Sequence, residues 1–218
     1  MADCDSRSGA RYATPEVLAW VDGLHAPHDE ALRAAFEAPE REGMPAIQVG
    51  VSEGKTLGLL MQMIGARRVV EVGTLAGYSA IHMAHALPRH GHLWTIEVDP
   101  HHADVARANI ESARLSDRVT VVLGKALELL PTLERHGPFD AVFLDADKGS
   151  YDRYGRWAVA HLRAGGLLLA DNAYFFGDLL DPARPEATAM RRFHEETAAA
   201  FDSVCLPTPD GLVIGIRR

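Results

Sequence analysis

Two carboxylates and an amide, Asp145, Asp171 and Asn172, close two short apolar runs at 139–144 and 167–170. Their oxygens are hard donors, suited to Mg2+ or a similar divalent cation and unsuited to a thiolate-loving metal. Three such ligands leave three octahedral positions, which two vicinal hydroxyl oxygens and one water would fill. A catechol has that shape. Lys148 follows Asp145 by three residues. A phenol beside a dication gives up its proton more readily, and Lys148 could receive it as general base. A lysine does this only in its neutral form, which a neighbouring dication and burial both favour. An aspartate at a strand end also commonly caps the following helix, so neither motif says much alone. It is their joint placement on neighbouring strand ends that points to a metal.

A second group lies earlier, in VEVGTLAGYS over 70–79. Gly73 and Gly77 permit a tight turn and close approach of backbone to ligand, before a helix whose first N–H groups are free. A dinucleotide loop would carry a middle glycine, so that a pyrophosphate can lie against the backbone; here Thr74 and Leu75 stand in its place. A cofactor without pyrophosphate follows. The next apolar run ends Ile96-Glu97-Val98-Asp99. A carboxylate there, about twenty residues after the glycines, suits a ribose diol. Glu97 is that carboxylate, and Asp99 is the N-cap of a helix opening at Pro100.

These residues need a frame that brings them together. Short, nearly continuous apolar runs at 68–72, 93–98, 119–123, 139–144 and 167–170 read as parallel strands covered on both faces. Helices fill the gaps at about 76–87, 100–115, 126–135 and 151–162, with a last one over 185–201. A Pro-Thr-Pro-Asp-Gly turn between 203–206 and 212–217 predicts an antiparallel pair at the sheet edge. The fold class is α/β: a doubly wound, mostly parallel seven-stranded sheet with an antiparallel C-terminal strand, whose ligands sit beyond the carboxyl ends of the strands. One domain is expected, with residues 1–50 as a helical extension and 51–218 as catalytic core. In the extension Thr14 caps a helix with Pro15 at its first position and a second helix covers 28–38; Ser52 with Glu53 opens a third at the start of the core.

Composition removes several function classes. A net charge of −8 without a basic cluster disfavours nucleic acid as partner. Cys4 and Cys205 form no CxxC pair, so neither a disulfide framework nor a zinc site is expected. The absence of a leader-like or membrane-length apolar run predicts a cytoplasmic protein without membrane association. The eleven histidines, His82, His85, His101 and His102 among them, read as surface or boundary residues.

The segments VEVGTLAGYS, TIEVD, VVLGKA, FLDADK, LLLADN and LPTPDGL occur in this order. Through them the sequence resembles the cation-dependent O-methyltransferases, a group that includes caffeoyl-CoA and catechol O-methyltransferases. The resemblance runs from about Met44 to the C-terminus. It implies S-adenosylmethionine (SAM) as methyl donor, touched by Val49, Glu71, Gly73, Thr74, Ser79, Glu97, Ala126, Asp145 and Asp147, with Glu71 receiving the amino-acid end. It implies that Asp145, Asp171 and Asn172 bind the metal and that Lys148 is the base. A homodimer is also implied, with the helical extension as an interface. Plant caffeoyl-CoA enzymes place a Trp-Asn after the Asp-Asn pair, where this chain has AYFFG at 173–177. That difference favours a small catechol over a CoA thioester, with Tyr174, Phe175 and Phe176 as an aromatic wall. Two alternatives stay open: a nicotinamide-dependent oxidoreductase, and a non-catalytic SAM-binding protein on the same fold.

Overall fold

The computed structural model describes Asp5 and residues 12–218; Cys4 lies outside them. Among residues 12–218 three helices precede the sheet: α1 (Pro15–His25), α2 (Glu30–Arg41) and α3 (Val51–Met63). Thr14 caps α1 through its hydroxyl, which accepts from Val17 N–H at 3.3 Å. None of the residues of α1 is buried. The expected opening of α3 at Ser52 shifts two residues earlier. Gly50 is the N-cap, because the Glu53 carboxylate reaches back to accept its N–H at 2.8 Å. Ser52 falls inside the first turn, and its hydroxyl donates to Asp22. On α3, Leu57 and Met61 are buried while Leu60 and Ile64 pack against them.

Then strands and helices alternate: β1 (Arg68–Val72), α4 (Tyr78–Ala86), β2 (His92–Glu97), α5 (Pro100–Ser112), β3 (Val119–Leu123), α6 (Ala126–Leu133), β4 (Phe139–Leu144), α7 (Tyr151–His161), β5 (Leu162–Ala170), α8 (Pro185–Ala200), β6 (Phe201–Leu206) and β7 (Leu212–Arg217). The seven strands lie in the order β3-β2-β1-β4-β5-β7-β6. The first five are parallel, and β7 runs antiparallel to both neighbours.

Pleating sorts the core. Val69 and Phe143 face the layer holding Leu57, Met61, Ile81 and Ile110. Val70, Val72, Val142 and Leu144 face the opposite layer with Leu130, Tyr151 and Phe193. Each such side chain contributes about 1.5–3 kcal/mol by leaving water. Differences from the sequence reading lie at element ends. α4 starts at Tyr78 rather than 76 because Gly77, at φ 84, is its left-handed cap. α8 stops at Ala200, where Phe201 turns extended and begins β6.

Register sets the site. Val72 pairs with Leu144, and Leu144 with Ala170, so β1, β4 and β5 end level. The ladder runs one residue further: Asp145 N–H donates to Val72 O (2.8 Å), and Asp171 N–H to Leu144 O (3.0 Å). Gly73, Asp145 and Asp171 therefore stand side by side at the edge where strand order reverses. Gly73 has φ +100, and a Cβ there would lie 1.9 Å from the Asp145 carbonyl oxygen. Only glycine fits that crossing.

Candidate active site

Above this edge lies a cavity of about 1210 Å³. Val49, Gly73, Thr74, Ser79, Glu97, Ala126, Asp145, Asp147, Lys148 and Asn172 all line it. Glu71 and Asp171, the other two residues named from sequence, are 0% and 6% exposed and lie behind its wall.

At one end the chain binds itself. Glu97 Oε2 accepts from the N–H groups of Thr74 (3.1 Å) and Leu75 (2.8 Å), and Oε1 from those of Val98 (2.9 Å) and Asp99 (3.0 Å). Four amides thus reach one carboxylate, fixing the glycine turn to the end of β2. Asp99 caps α5, accepting from His101 N–H (2.8 Å) and His102 N–H (3.3 Å). Asp147 accepts a hydrogen bond from the Tyr154 hydroxyl, and both residues line the cavity.

Glu71 is the strained member of this half. Ser79 donates to its Oε1, while Oε2 is buried without a hydrogen-bond partner. Burial pushes its pKa up to about 8, against the pull of the Ser79 and Thr95 hydroxyls and with a further push from Asp145 and Glu97. A buried acid with an unpartnered oxygen fits a cationic ligand group, and the ammonium of SAM is one.

At the other end, charges crowd. Lys148 Nζ donates to Asp145 Oδ1 (2.9 Å) and to the Tyr151 hydroxyl (2.8 Å), and lies 4.8 Å from that ring's centre. Tyr151 shares its own proton between the carbonyls of Leu144 (3.1 Å) and Asp171 (3.0 Å). It therefore ties β4 to β5 beneath the lysine. Burial raises the Asp171 carboxyl to about 7, and the neighbouring Asp145 charge adds to that; the Asn172 N–H and Lys148 pull the other way. A buried acid pushed up beside a second carboxylate fits a divalent cation, with the Asn172 amide oxygen as a third hard donor. Among the described residues no three His, Cys, Asp or Glu side chains form a metal cluster; the set here depends on that amide.

The structure corrects two sequence readings. Of the three aromatics expected as a wall, only Phe176 lines the cavity, at 67% exposed. Phe175 is buried in the core, and Tyr174 packs on Gly211. The histidines are not all at the surface either. His82 is buried edge-on to Tyr78, 4.7 Å between ring centres, with its pKa lowered to about 4 by burial. His102 lines the cavity, its Nδ1 3.8 Å from Glu97 Oε1. Sequence reasoning also passed over Tyr151 and Asp210. The signal for Tyr151 was its place one turn beyond Lys148; Asp210 stood in the LPTPDGL segment, but nothing local pointed it at Asn172.

The O-methyltransferase family profile matches residues 25–218. A catechol O-methyltransferase of Niastella koreensis is 45% identical over 210 residues, covering 91% of this chain and 95% of that protein. A catechol O-methyltransferase of Mycobacterium tuberculosis is 43% identical, covering 82% and 81% respectively. Among solved structures, an O-methyltransferase from Bacillus cereus in complex with SAH superposes with a TM-score of 0.89 at 36% identity, over 93% of this chain and 97% of that one.

Proposed function

Since this chain belongs to the O-methyltransferase family, with SAM as its methyl donor, we propose that it methylates one hydroxyl of a catechol-type small molecule held by a divalent cation. One observation carries this reading. Asp145 is at once the ion-pair partner of Lys148, at 2.9 Å, and the neighbour whose charge raises Asp171. The base and the metal donors thus converge on a single carboxylate. The 45%-identical relative named catechol O-methyltransferase supports the acceptor class. The charge of −8 supports a small molecule over a nucleic acid.

Asp145, Asp171 and Asn172 would hold the cation, Mg2+ or similar. When bound it supplies a site for two vicinal oxygens and makes a phenol more acidic. Glu71 receives the SAM ammonium, and Glu97, at the cavity wall, faces the ribose. The glycine turn and Val49 hold the donor against the strand edge. Lys148 Nζ takes the proton of the reacting hydroxyl. The oxygen then displaces sulfur at the methyl carbon: an O–C bond forms, the S–C bond breaks, and SAH leaves with the electron pair on sulfur. Positioning does the rest, since donor and acceptor occupy opposite ends of one cavity.

The exposed Trp20 and Leu24 on α1 support a homodimer through the helical extension. A cytoplasmic setting accords with the cysteine usage. Among the described residues no helix is long and apolar enough to cross a membrane.

The test is methyl transfer from labelled SAM to caffeate with Mg2+, then with excess EDTA, then with Mg2+ restored. Activity lost and regained supports the full reading. Activity indifferent to EDTA leaves a methyltransferase but removes the cation from its mechanism.

A further inference from the structure

Asn172 poses a problem that its two acidic partners do not. A carboxylate offers oxygen whichever way it turns. An amide offers oxygen on one side and an NH2 group on the other, and only the oxygen ligates a hard cation. Something must set its orientation. The Asn172 backbone sits at φ 52, in the left-handed region, so its side chain leaves the strand edge at an angle that the sheet does not dictate.

We propose that Asp210 is the positioning residue that turns the Asn172 amide oxygen toward the cation; this rests on the metal reading above. Asp210 Oδ2 lies 3.3 Å from Asn172 Nδ2. An ionised carboxylate only accepts, so it must face the nitrogen, and the oxygen then points away from it. Both side chains line the same cavity.

The place of Asp210 is fixed by its backbone, independently of that side-chain bond. Tyr174 N–H donates to Asp210 O, and Ala173 N–H to Gly211 O, each at 2.9 Å. The turn between β6 and β7 is thereby stitched to the loop after β5. Gly211 makes the approach possible: it sits at φ +79, and a Cβ there would lie 2.8 Å from the Tyr174 ring. A third tie comes from α8, where His194 Nε2 meets Ala173 O at 2.8 Å. Two segments 38 residues apart are thus held in register, with the carboxylate of one against the amide of the other. Partners beyond the direct ligands orient metal sites in this way, and losing one typically weakens metal affinity about 10–100-fold.

The experiment measures Mn2+ binding by electron paramagnetic resonance on the full-length wild type, Asp210→Ala and Asp210→Asn, with SAM affinity measured by calorimetry without metal. Asp210→Asn removes the charge but keeps an acceptor oxygen. The expected result is about tenfold weaker Mn2+ binding in Asp210→Ala, a smaller weakening in Asp210→Asn, whose NH2 can also face the Asn172 oxygen, and unchanged SAM affinity in both. Wild-type Mn2+ binding in Asp210→Ala would overturn the proposal. Equal weakening in both variants would also overturn it, by making charge rather than orientation the contribution. Loss of SAM binding together with Mn2+ binding in Asp210→Ala would assign the residue to loop folding instead. A wild type that does not bind Mn2+ would sink the metal reading itself, and this inference with it; binding by the wild type separates the two.

Discussion

The two ends of the cavity are built on different terms. At the proposed donor end the polar groups are largely satisfied within the protein: Glu97 alone takes four amide hydrogen bonds. Its parts come from consecutive segments, the glycine turn and the end of β2. At the acceptor end Asp145, Lys148, Asp171, Asn172 and Asp210 come from three separate stretches, and the charges are poorly reconciled, with Asp171 pushed up to about 7 by burial and by Asp145. One end is formed before its ligand arrives. The other is a set of groups whose electrostatics favour a cation. Glu71 is the exception that marks the rule, since its Oε2 is buried without a hydrogen-bond partner.

Substitutions can break that contrast or sharpen it. Lys148→Ala should lower kcat by about 10²–10⁴-fold while SAM affinity, measured by calorimetry, stays at the wild-type value. A parallel fall in SAM affinity would show that the two ends are not separable. Glu71→Gln should act in opposite directions on stability and on binding. The folded pKa of Glu71, about 8, lies above the ordinary carboxylate value. The stability it contributes is therefore present below about pH 4.3 and is lost as pH rises toward 8. The ligand-free variant should accordingly melt several degrees above wild type at pH 8 and close to it near pH 4.5, a difference on the order of a few kcal/mol. Its SAM affinity should fall about tenfold or more, because the ammonium loses a charged partner. Melting curves that shift alike at both pH values would refute the assignment. Phe176→Ala should have the smallest effect, a few-fold rise in acceptor KM with kcat retained, since a ring 67% exposed gives only partial apolar contact.

What the sequence made legible follows the same division. β1, β3, β4 and β7 occupy the expected spans; for β1 and β4 this is because strands buried on both faces are written as continuous apolar runs. The acids that end them are conspicuous for the same reason. Relations that depend on how distant segments meet are not written locally. Asp210 stands 38 residues from Asn172, and only the hairpin turn brings it near. The three aromatics after Asn172 could not be sorted by alternation either, because Phe175 and Phe176 both have positive φ, at 50° and 54°. That geometry sends Phe175 into the core and leaves Phe176 at the cavity. His82 was misplaced through its partner: Gly54 on α3 lets the imidazole in, since a Cβ there would lie 2.6 Å from its Cδ2.

Gly73 has a consequence that reaches across the division. Its missing side chain is the whole clearance between the donor loop and the backbone from which Asp145 hangs. Adding one methyl group there would displace the loop or the carbonyl, and either movement changes the gap that the transferred methyl must cross. On the proposed placement of donor and acceptor, the span of the reaction is therefore gauged by a hydrogen atom. A chemist wishing to lengthen or shorten that span should work at residues that bear on this crossing, and should expect position 73 itself to accept no substitute.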